Sequence, residues 1–122
     1  MQKNKRKILV VEDDDEFRKM ITDALTLFNH QVQLASSAEE ALQILESSSF
    51  DMIISDITMP GISGLEMTKI LRKKKIKTPV IIISGHSDTQ TISESLKNGV
   101  NDYIQKPLRI KDIPIILERN FD

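Results

Sequence analysis

Residues 8–15 read Ile-Leu-Val-Val-Glu-Asp-Asp-Asp, four consecutive apolar side chains followed at once by four carboxylates. A short apolar run without polar alternation is typical of a strand that is buried on both faces of a sheet. Two further runs have the same character, and they are Met52-Ile53-Ile54-Ser55 and Val80-Ile81-Ile82-Ile83. The pattern therefore predicts a parallel sheet covered on both sides, with carboxylates at the end of its first strand.

Amphipathic segments separate these runs. Apolar side chains recur at helical spacing between Phe17 and Phe28, and weaker strands are expected at 32–35 and 103–104. Helix starts are indicated by three capping-box pairs, Ser37 with Glu40, Ser63 with Glu66, and Ser87 with Gln90. Five strands alternating with five helices predict an α/β fold, a doubly wound parallel sheet with helices on both faces.

The end of the chain has its own signals. Gly99 fits the position just after a helix, where a left-handed backbone conformation is common. A last helix is expected over about 109–120, with Pro114 near its first turn because a proline costs little there.

The composition excludes several classes of protein. A length of 122 residues predicts one domain spanning 1–122, and the absence of cysteine excludes disulfide scaffolds and Cys-based zinc sites. A net charge of −1 and an aromatic content of 4% disfavour binding to nucleic acid or to an anionic membrane. The apolar runs are too short to span a bilayer, and residues 3–11 do not form a signal peptide. We therefore expect a soluble, cytoplasmic domain.

Right-handed crossovers bring every strand-to-helix loop of such a fold to the carboxyl edge of the sheet, where ligands bind. The residues expected at this edge are Glu12, Asp13, Asp56, Ser84 and Lys106. Taken alone, these residue types also have ordinary structural roles. The acidic run 12–15 suits the first turn of a helix, an aspartate suits a turn, and a lysine suits the surface.

Taken together, these side chains form a phosphoryl-binding set. Clustered carboxylates repel one another unless a cation or a proton is supplied, and Mg²⁺ prefers oxygen ligands. A carboxylate such as Asp56 can attack an activated phosphoryl group and form an aspartyl-phosphate. Mg²⁺, the Lys106 ammonium and the Ser84 hydroxyl would then share the developing negative charge.

Four segments of the chain resemble the receiver domain of bacterial two-component response regulators, in particular the chemotaxis-regulator type. They are VVEDDD at 10–15, DMIISDITMPGISGLEM at 51–67, PVIIISGHSD at 79–88 and NGVNDYIQKPL at 98–108. Their order and spacing match the family over essentially the whole chain. The resemblance implies a flavodoxin-like sheet with strand order 2-1-3-4-5.

The resemblance also implies a role for each matching residue. Asp56 corresponds to the phospho-accepting aspartate, Asp13 to a direct ligand of Mg²⁺ or another divalent cation such as Mn²⁺, and Glu12 to an acidic neighbour that reaches the metal through water. The other matches are the Thr58 backbone carbonyl as a metal ligand, Lys106 as the invariant lysine followed by Pro107, Ser84 and Tyr103 as the switch residues, and Thr58 and His86 as the positions that tune the phosphoryl lifetime.

Partners follow from the same resemblance. A sensor histidine kinase or phosphotransfer protein is expected to donate the phosphoryl group, and an output partner is expected at the face of the fourth helix, fifth strand and fifth helix. A phosphorylation-dependent homodimer is compatible with this use of the face. The fourth helix is expected to be loosely held, since its apolar stripe is mainly Ile92 and Leu96. Such a domain catalyses its own phosphorylation and dephosphorylation and is not a conventional enzyme.

Two rival interpretations remain open. A haloacid-dehalogenase-like phosphatase also uses an aspartate at a strand end, but it needs a second aspartate where this chain has Thr58. A pseudo-receiver that is never phosphorylated is disfavoured by the complete set of site residues.

The basic run 72–75 with Lys77 is interpreted as a solvated helix end. Neither His30 nor His86 is expected to be a metal ligand.

Overall fold

The computed structural model describes residues 5–85 and 89–121. Five parallel strands form one sheet in the order β2-β1-β3-β4-β5, which confirms the predicted fold class and strand order. The strands are β1 (Lys7–Val11), β2 (Gln31–Ala35), β3 (Met52–Ser55), β4 (Val80–Ser84) and β5 (Asp102–Gln105).

Helices connect the strands and cover the sheet. They are α1 (Asp15–Leu27), α2 (Ala38–Leu45), α3 (Gly64–Lys73), α4 (Thr89–Lys97) and α5 (Ile113–Asn120). The last helix begins at Ile113 rather than near 109, because a 3-10 turn (Ile110–Asp112) comes first. Pro114 lies in the first turn of α5, as predicted. Within the described part of the chain, no helix is long and apolar enough to cross a membrane.

The core lies on both faces of the sheet. Ile8 and Val10 of β1 pack with α1 and α5, whereas Leu9 and Val11 pack on the opposite face with α2 and α3. Alternate side chains of one strand thus enter different core layers. This explains why the central strands are apolar at every position.

Two of the three predicted capping boxes lie within the described residues. Ser63 and Glu66 form the complete box, with the Glu66 amide donating to Ser63 Oγ at 3.1 Å and the Ser63 amide to Glu66 Oε1 at 3.5 Å. The box predicted for Ser37 and Glu40 is only half right. Ser37 Oγ accepts from the Glu40 amide, but the Glu40 carboxylate turns to Ser36, whose amide and hydroxyl donate to it at 2.8 and 3.0 Å. Ser87 of the third pair lies outside the described residues.

The basic run is not uniformly solvated, so that interpretation is wrong for Arg72. The half-buried Arg72 guanidinium donates to the carbonyl oxygens of Gly99 and Ile76 at 2.9 and 2.8 Å and to Asn101 Oδ1 at 2.9 Å. It therefore ties the end of α3 to the loop between α4 and β5. Gly99 has φ +94° in that loop, which agrees with the predicted left-handed conformation.

Candidate functional site

Neighbouring strands bring three carboxylates together at the carboxyl edge of the sheet. The last residues of β1 and β3, Val11 and Ser55, are register partners, and the acidic residues follow directly after them. Glu12, Asp13 and Asp56 each offer a carboxylate oxygen, and these oxygens lie within 4.8 Å of one another. An oxygen-only donor set of this size and charge fits Mg²⁺ or Mn²⁺.

The Glu12 carboxylate is the buried member of this cluster, with a side chain only 3% exposed. Its Oε2 accepts from the Asp14 amide at 3.1 Å, and its Oε1 lies 3.8 Å from Lys106 Nζ. Burial raises the pKa of Glu12 to about 7; the nearby Asp56 and Asp13 charges also raise it, while the Asp14 amide and Lys106 lower it. In the absence of a cation, this carboxyl group therefore keeps its proton to a higher pH than an ordinary glutamate does.

The two oxygens of Asp56 have different partners. Oδ1 accepts from the Ile57 amide at 2.7 Å, whereas Oδ2 lies 3.3 Å from Lys106 Nζ. The side chain is 14% exposed, so it is partly accessible to solvent. One oxygen is thus fixed by the backbone and the other faces the Lys106 ammonium.

Lys106 reaches the cluster from the end of β5. Its amide donates to the Ser84 carbonyl at 2.7 Å, which anchors the residue beside the end of β4. Its Nζ contacts Asp56 and Glu12, as described, and lies over the Phe17 ring at 4.2 Å from the centroid. The structure thus brings four of the expected site residues, Glu12, Asp13, Asp56 and Lys106, into one group.

The remaining expected residues lie around this group. Ser84 is buried at the end of β4, Thr58 is exposed in the loop after β3, and Tyr103 is half-buried in β5 against the core layer of α2 and α3. His86 lies outside the described residues. The roles assigned to these positions remain predictions.

Part of the acidic run 12–15 has the ordinary structural role of capping a helix. Asp14 caps α1, since its Oδ1 accepts from the amides of Glu16 and Phe17 at 3.0 and 3.4 Å. Glu12 and Asp13 precede this cap and belong to the carboxylate cluster instead.

Sequence reasoning missed Arg18. Its Nη1 donates to the Glu12 carbonyl at 3.0 Å, and its Nη2 pairs with Asp15. The guanidinium therefore braces the loop between β1 and α1 from the second turn of α1. The i, i+3 spacing of Asp15 and Arg18 was an available signal for the ion pair, but nothing in the sequence indicates the contact with the carbonyl.

The loop after Asp56 depends on a close approach of α3. The Gly64 amide donates to the Ile57 carbonyl at 2.9 Å, and a Cβ at Gly64 would overlap the Asp56 carbonyl oxygen. Gly64 is the first residue of α3, and its missing side chain lets the helix meet Asp56. The same loop is tied to α2 by Glu39, whose Oε2 accepts from the Ile62 amide at 3.0 Å.

The buried Glu12 carboxyl predicts a pH dependence of stability in the metal-free protein. Because its folded-state pKa of about 7 lies above the ordinary 4.5, the folded protein holds this proton more tightly than the unfolded chain. The stabilisation that this proton gives to the folded state is therefore complete below about pH 4.5 and is lost as pH rises through 7. We expect Glu12→Gln to be more stable than wild type by about 2 to 3 kcal/mol at pH 8, and by much less at pH 5.

Urea denaturation in chelator at both pH values measures this difference. Glu16→Gln is the matched control, because it removes an exposed carboxylate from the first turn of α1. If the free energies of unfolding of Glu12→Gln and wild type changed with pH in parallel, this titration would not belong to Glu12.

Comparisons with known proteins agree with this geometry. A family model described as the response regulator receiver domain matches residues 8–118. The receiver domain of the Francisella response regulator 1452 superposes with a TM-score of 0.89 at 34% identity, over 94% of this chain and 95% of that one. The chemotaxis response regulator CheY4 of Vibrio cholerae gives a TM-score of 0.90 at 27% identity, over 96% of this chain and 99% of that one.

Curated relatives are longer proteins. The regulatory protein AtoC of Escherichia coli (strain K12) is 30% identical over 113 residues, which are 93% of this chain and 24% of the relative. The nisin biosynthesis regulatory protein NisR of Lactococcus lactis subsp. lactis is 36% identical over 114 residues, 93% of this chain and 49% of the relative. The chain thus spans about a quarter to a half of their length.

Proposed function

Because this chain belongs to the family of response regulator receiver domains of two-component systems, we propose that it accepts a phosphoryl group on Asp56 with the help of a divalent cation. Response regulators take phosphoryl groups from histidine kinases, and receiver domains bind Mg²⁺ at an acidic pocket. The observation that carries the proposal is the position of Lys106 Nζ, 3.3 Å from Asp56 Oδ2 and beside the carboxylate cluster. A cation and a metal site flanking one accessible carboxylate suit phosphoryl transfer.

The chemistry follows from the partners of Asp56. An oxygen of its carboxylate attacks the phosphorus of a phosphohistidine in a sensor kinase or phosphotransfer protein, the P–N bond breaks, and its electron pair leaves with the imidazole. Oδ2 is the better placed nucleophile, since its donor is the longer contact with Lys106 Nζ at 3.3 Å, whereas Oδ1 accepts from the Ile57 amide at 2.7 Å. The Lys106 ammonium can follow the new phosphoryl oxygens while it stays near the cluster.

The metal site is proposed on the same residues. Glu12, Asp13, Asp56 and the Thr58 backbone carbonyl would hold Mg²⁺ or Mn²⁺, with Glu12 acting through water. When bound, the cation supplies positive charge that offsets the carboxylates and the transferred phosphoryl group. The donor chemistry supports this, because every proposed ligand atom is oxygen.

The domain is proposed to work in the cytoplasm as a single receiver spanning 1–122, without direct contact to nucleic acid or membrane. It catalyses its own phosphorylation and dephosphorylation, one phosphoryl group per molecule, and is not a conventional enzyme.

A fluoroberyllate titration separates this proposal from its rivals. We expect Mg²⁺-dependent binding at one site and no turnover of phosphate esters, because fluoroberyllate imitates a phosphoryl group on an aspartate. Steady hydrolysis of phosphate esters would favour a phosphatase, and absence of fluoroberyllate binding in saturating Mg²⁺ would favour a pseudo-receiver. Either result would contradict the proposed function.

We propose that an output partner binds to the face formed by α4, β5 and α5. Leu96 of α4 is 52% exposed, so its expected place in the buried stripe is wrong, and Ser95 is buried instead. A helix that buries a serine and exposes a leucine is held by little apolar contact, which suits a movable element. Exposed apolar side chains at Leu96 and Ile115 are available to an output partner or to a second phosphorylated copy.

Ser84 is proposed to couple the phosphoryl group to this face, with Tyr103 following. We expect Ser84→Ala to be phosphorylated at Asp56 but to lose the accompanying amide chemical-shift changes in α4 and at Tyr103, because the missing hydroxyl cannot follow the phosphoryl oxygens. Spectra with and without fluoroberyllate measure this, and Ser84→Thr, which keeps the hydroxyl, is the matched control. A full wild-type pattern of shifts in Ser84→Ala would show that the coupling runs elsewhere.

A further inference from the structure

The aromatic ring of Phe17 lies against the same ammonium group that serves the carboxylates. Lys106 Nζ is 4.2 Å from the ring centroid, over the ring face. Phe17 stands in the first turn of α1, where the Asp14 cap accepts from its amide, and its half-buried side chain packs against the core layer of α1 and α5. The ring is therefore supported by the core and also contacts the lysine.

The Lys106 ammonium lies close to two kinds of group, carboxylates and an aromatic ring. Carboxylate oxygens of Asp56 and Glu12 lie 3.3 and 3.8 Å from Nζ, while the Phe17 face attracts the charge through its quadrupole. An aromatic face offers no strong acceptor, so it attracts the cation without competing with the carboxylates for its N–H donors. A flexible lysine stem is thereby restricted while its hydrogen bonds remain available.

We propose that Phe17 is a positioning residue for Lys106: its ring holds the ammonium at the phosphoryl-accepting oxygen of Asp56. This inference rests on the proposed function, since it assigns Phe17 a part in that reaction. The alternative is that Phe17 only fills the core beside α1, in which case any apolar side chain of similar size would serve equally.

Three variants separate these two roles. Phe17→Leu keeps an apolar side chain and removes the ring, whereas Phe17→Tyr keeps the ring face. Phe28→Leu is the matched control, because Phe28 follows the other end of α1 and packs against the same core layer. The free energy of unfolding of each variant shows how much packing is lost.

The first readout is the rate of labelling by acetyl phosphate in saturating Mg²⁺. We expect Phe17→Leu to react roughly three- to tenfold more slowly than wild type, in line with the strength of a partly desolvated cation–π contact. Phe17→Tyr and Phe28→Leu are expected to stay within about twofold of wild type, because the first keeps the ring face and the second lies away from Lys106.

The second readout needs no phosphodonor. The ε-methylene protons of Lys106 should show an upfield ring-current shift in wild type and in Phe17→Tyr, and this shift should be absent in Phe17→Leu. Loss of packing alone would not produce that pattern, since Phe28→Leu would lose packing and keep the shift.

The inference is overturned if Phe17→Leu is labelled at the wild-type rate, if Phe17→Tyr is as slow as Phe17→Leu, or if the Lys106 methylene shift is the same with and without the ring. Should Phe17→Leu fail to fold, Phe17→Met is measured in its place with the same expectations. If the wild-type protein is not labelled at all, the proposed function fails, while the Lys106 shift still decides whether Phe17 positions the lysine.

Discussion

The Asp56→Asn protein is expected to gain no phosphoryl group from acetyl phosphate and Mg²⁺ under conditions in which wild type gains one. The rate of labelling should fall by roughly 10³-fold or more. An amide oxygen is a far poorer nucleophile than a carboxylate, and the change also removes the charge that faces Lys106 Nζ at 3.3 Å. Intact-protein mass spectrometry measures the added phosphoryl mass directly.

The control for this experiment is Asp51→Asn. Asp51 flanks the opposite end of β3, is exposed, and accepts from the Lys7 amide at 2.8 Å through a side-chain oxygen that asparagine also provides. It should be labelled like wild type. Labelling of Asp56→Asn at the wild-type rate would remove Asp56 from the mechanism.

The Gly64→Ala protein is expected to be destabilised by about 3 kcal/mol, because the new methyl group would overlap the Asp56 carbonyl oxygen and would lie 3.0 Å from Ser55 Oγ. These neighbours belong to the end of β3 and cannot move away without disturbing the central strand. The backbone of the proposed phosphorylation site would shift with them, so labelling of Asp56 should also slow.

Gly61→Ala provides the comparison within the same loop. Gly61 has φ +85°, and the atom nearest an added Cβ belongs to the flexible Glu39 side chain, which can move away if it gives up its contact with the Ile62 amide. The substitution should therefore lower the free energy of unfolding by about 1 to 2 kcal/mol, from the backbone conformation and the lost contact. Urea denaturation measures both variants, and a smaller loss in Gly64→Ala than in Gly61→Ala would contradict this account of the contact with Asp56.

Much of the fold could be predicted because the central strands are buried on both faces. Continuous apolar runs identify β1, β3 and β4, and the alternation with helices then leaves few arrangements. The start of α5 was less predictable, since a 3-10 turn and an α-helix have similar local patterns. The Glu40 contact with Ser36 rather than Ser37 depends on a side-chain rotamer that spacing alone does not determine.

The proposed site was predictable for a related reason. Glu12, Asp13 and Asp56 follow strand ends directly, so the sheet brings them together whatever the details of the loops. Phe17, Arg18 and Gly64 were not assigned to the site, because their contacts depend on how α1 and α3 sit against these loops. Arg72 likewise reaches a loop far along the chain, which a helix-end pattern could not indicate.

Chemical trapping of the phosphorylated residue identifies the carboxylate that accepts the phosphoryl group. Borohydride reduces an aspartyl-phosphate to homoserine, so wild-type protein is labelled with acetyl phosphate in Mg²⁺, reduced, digested and mapped by mass spectrometry. We expect homoserine at position 56 in Mg²⁺, and no homoserine there when chelator replaces Mg²⁺. Homoserine at Asp13 or another carboxylate, or trapping at position 56 that is unchanged by chelator, would contradict the proposal that Asp56 is a metal-dependent phosphoryl acceptor.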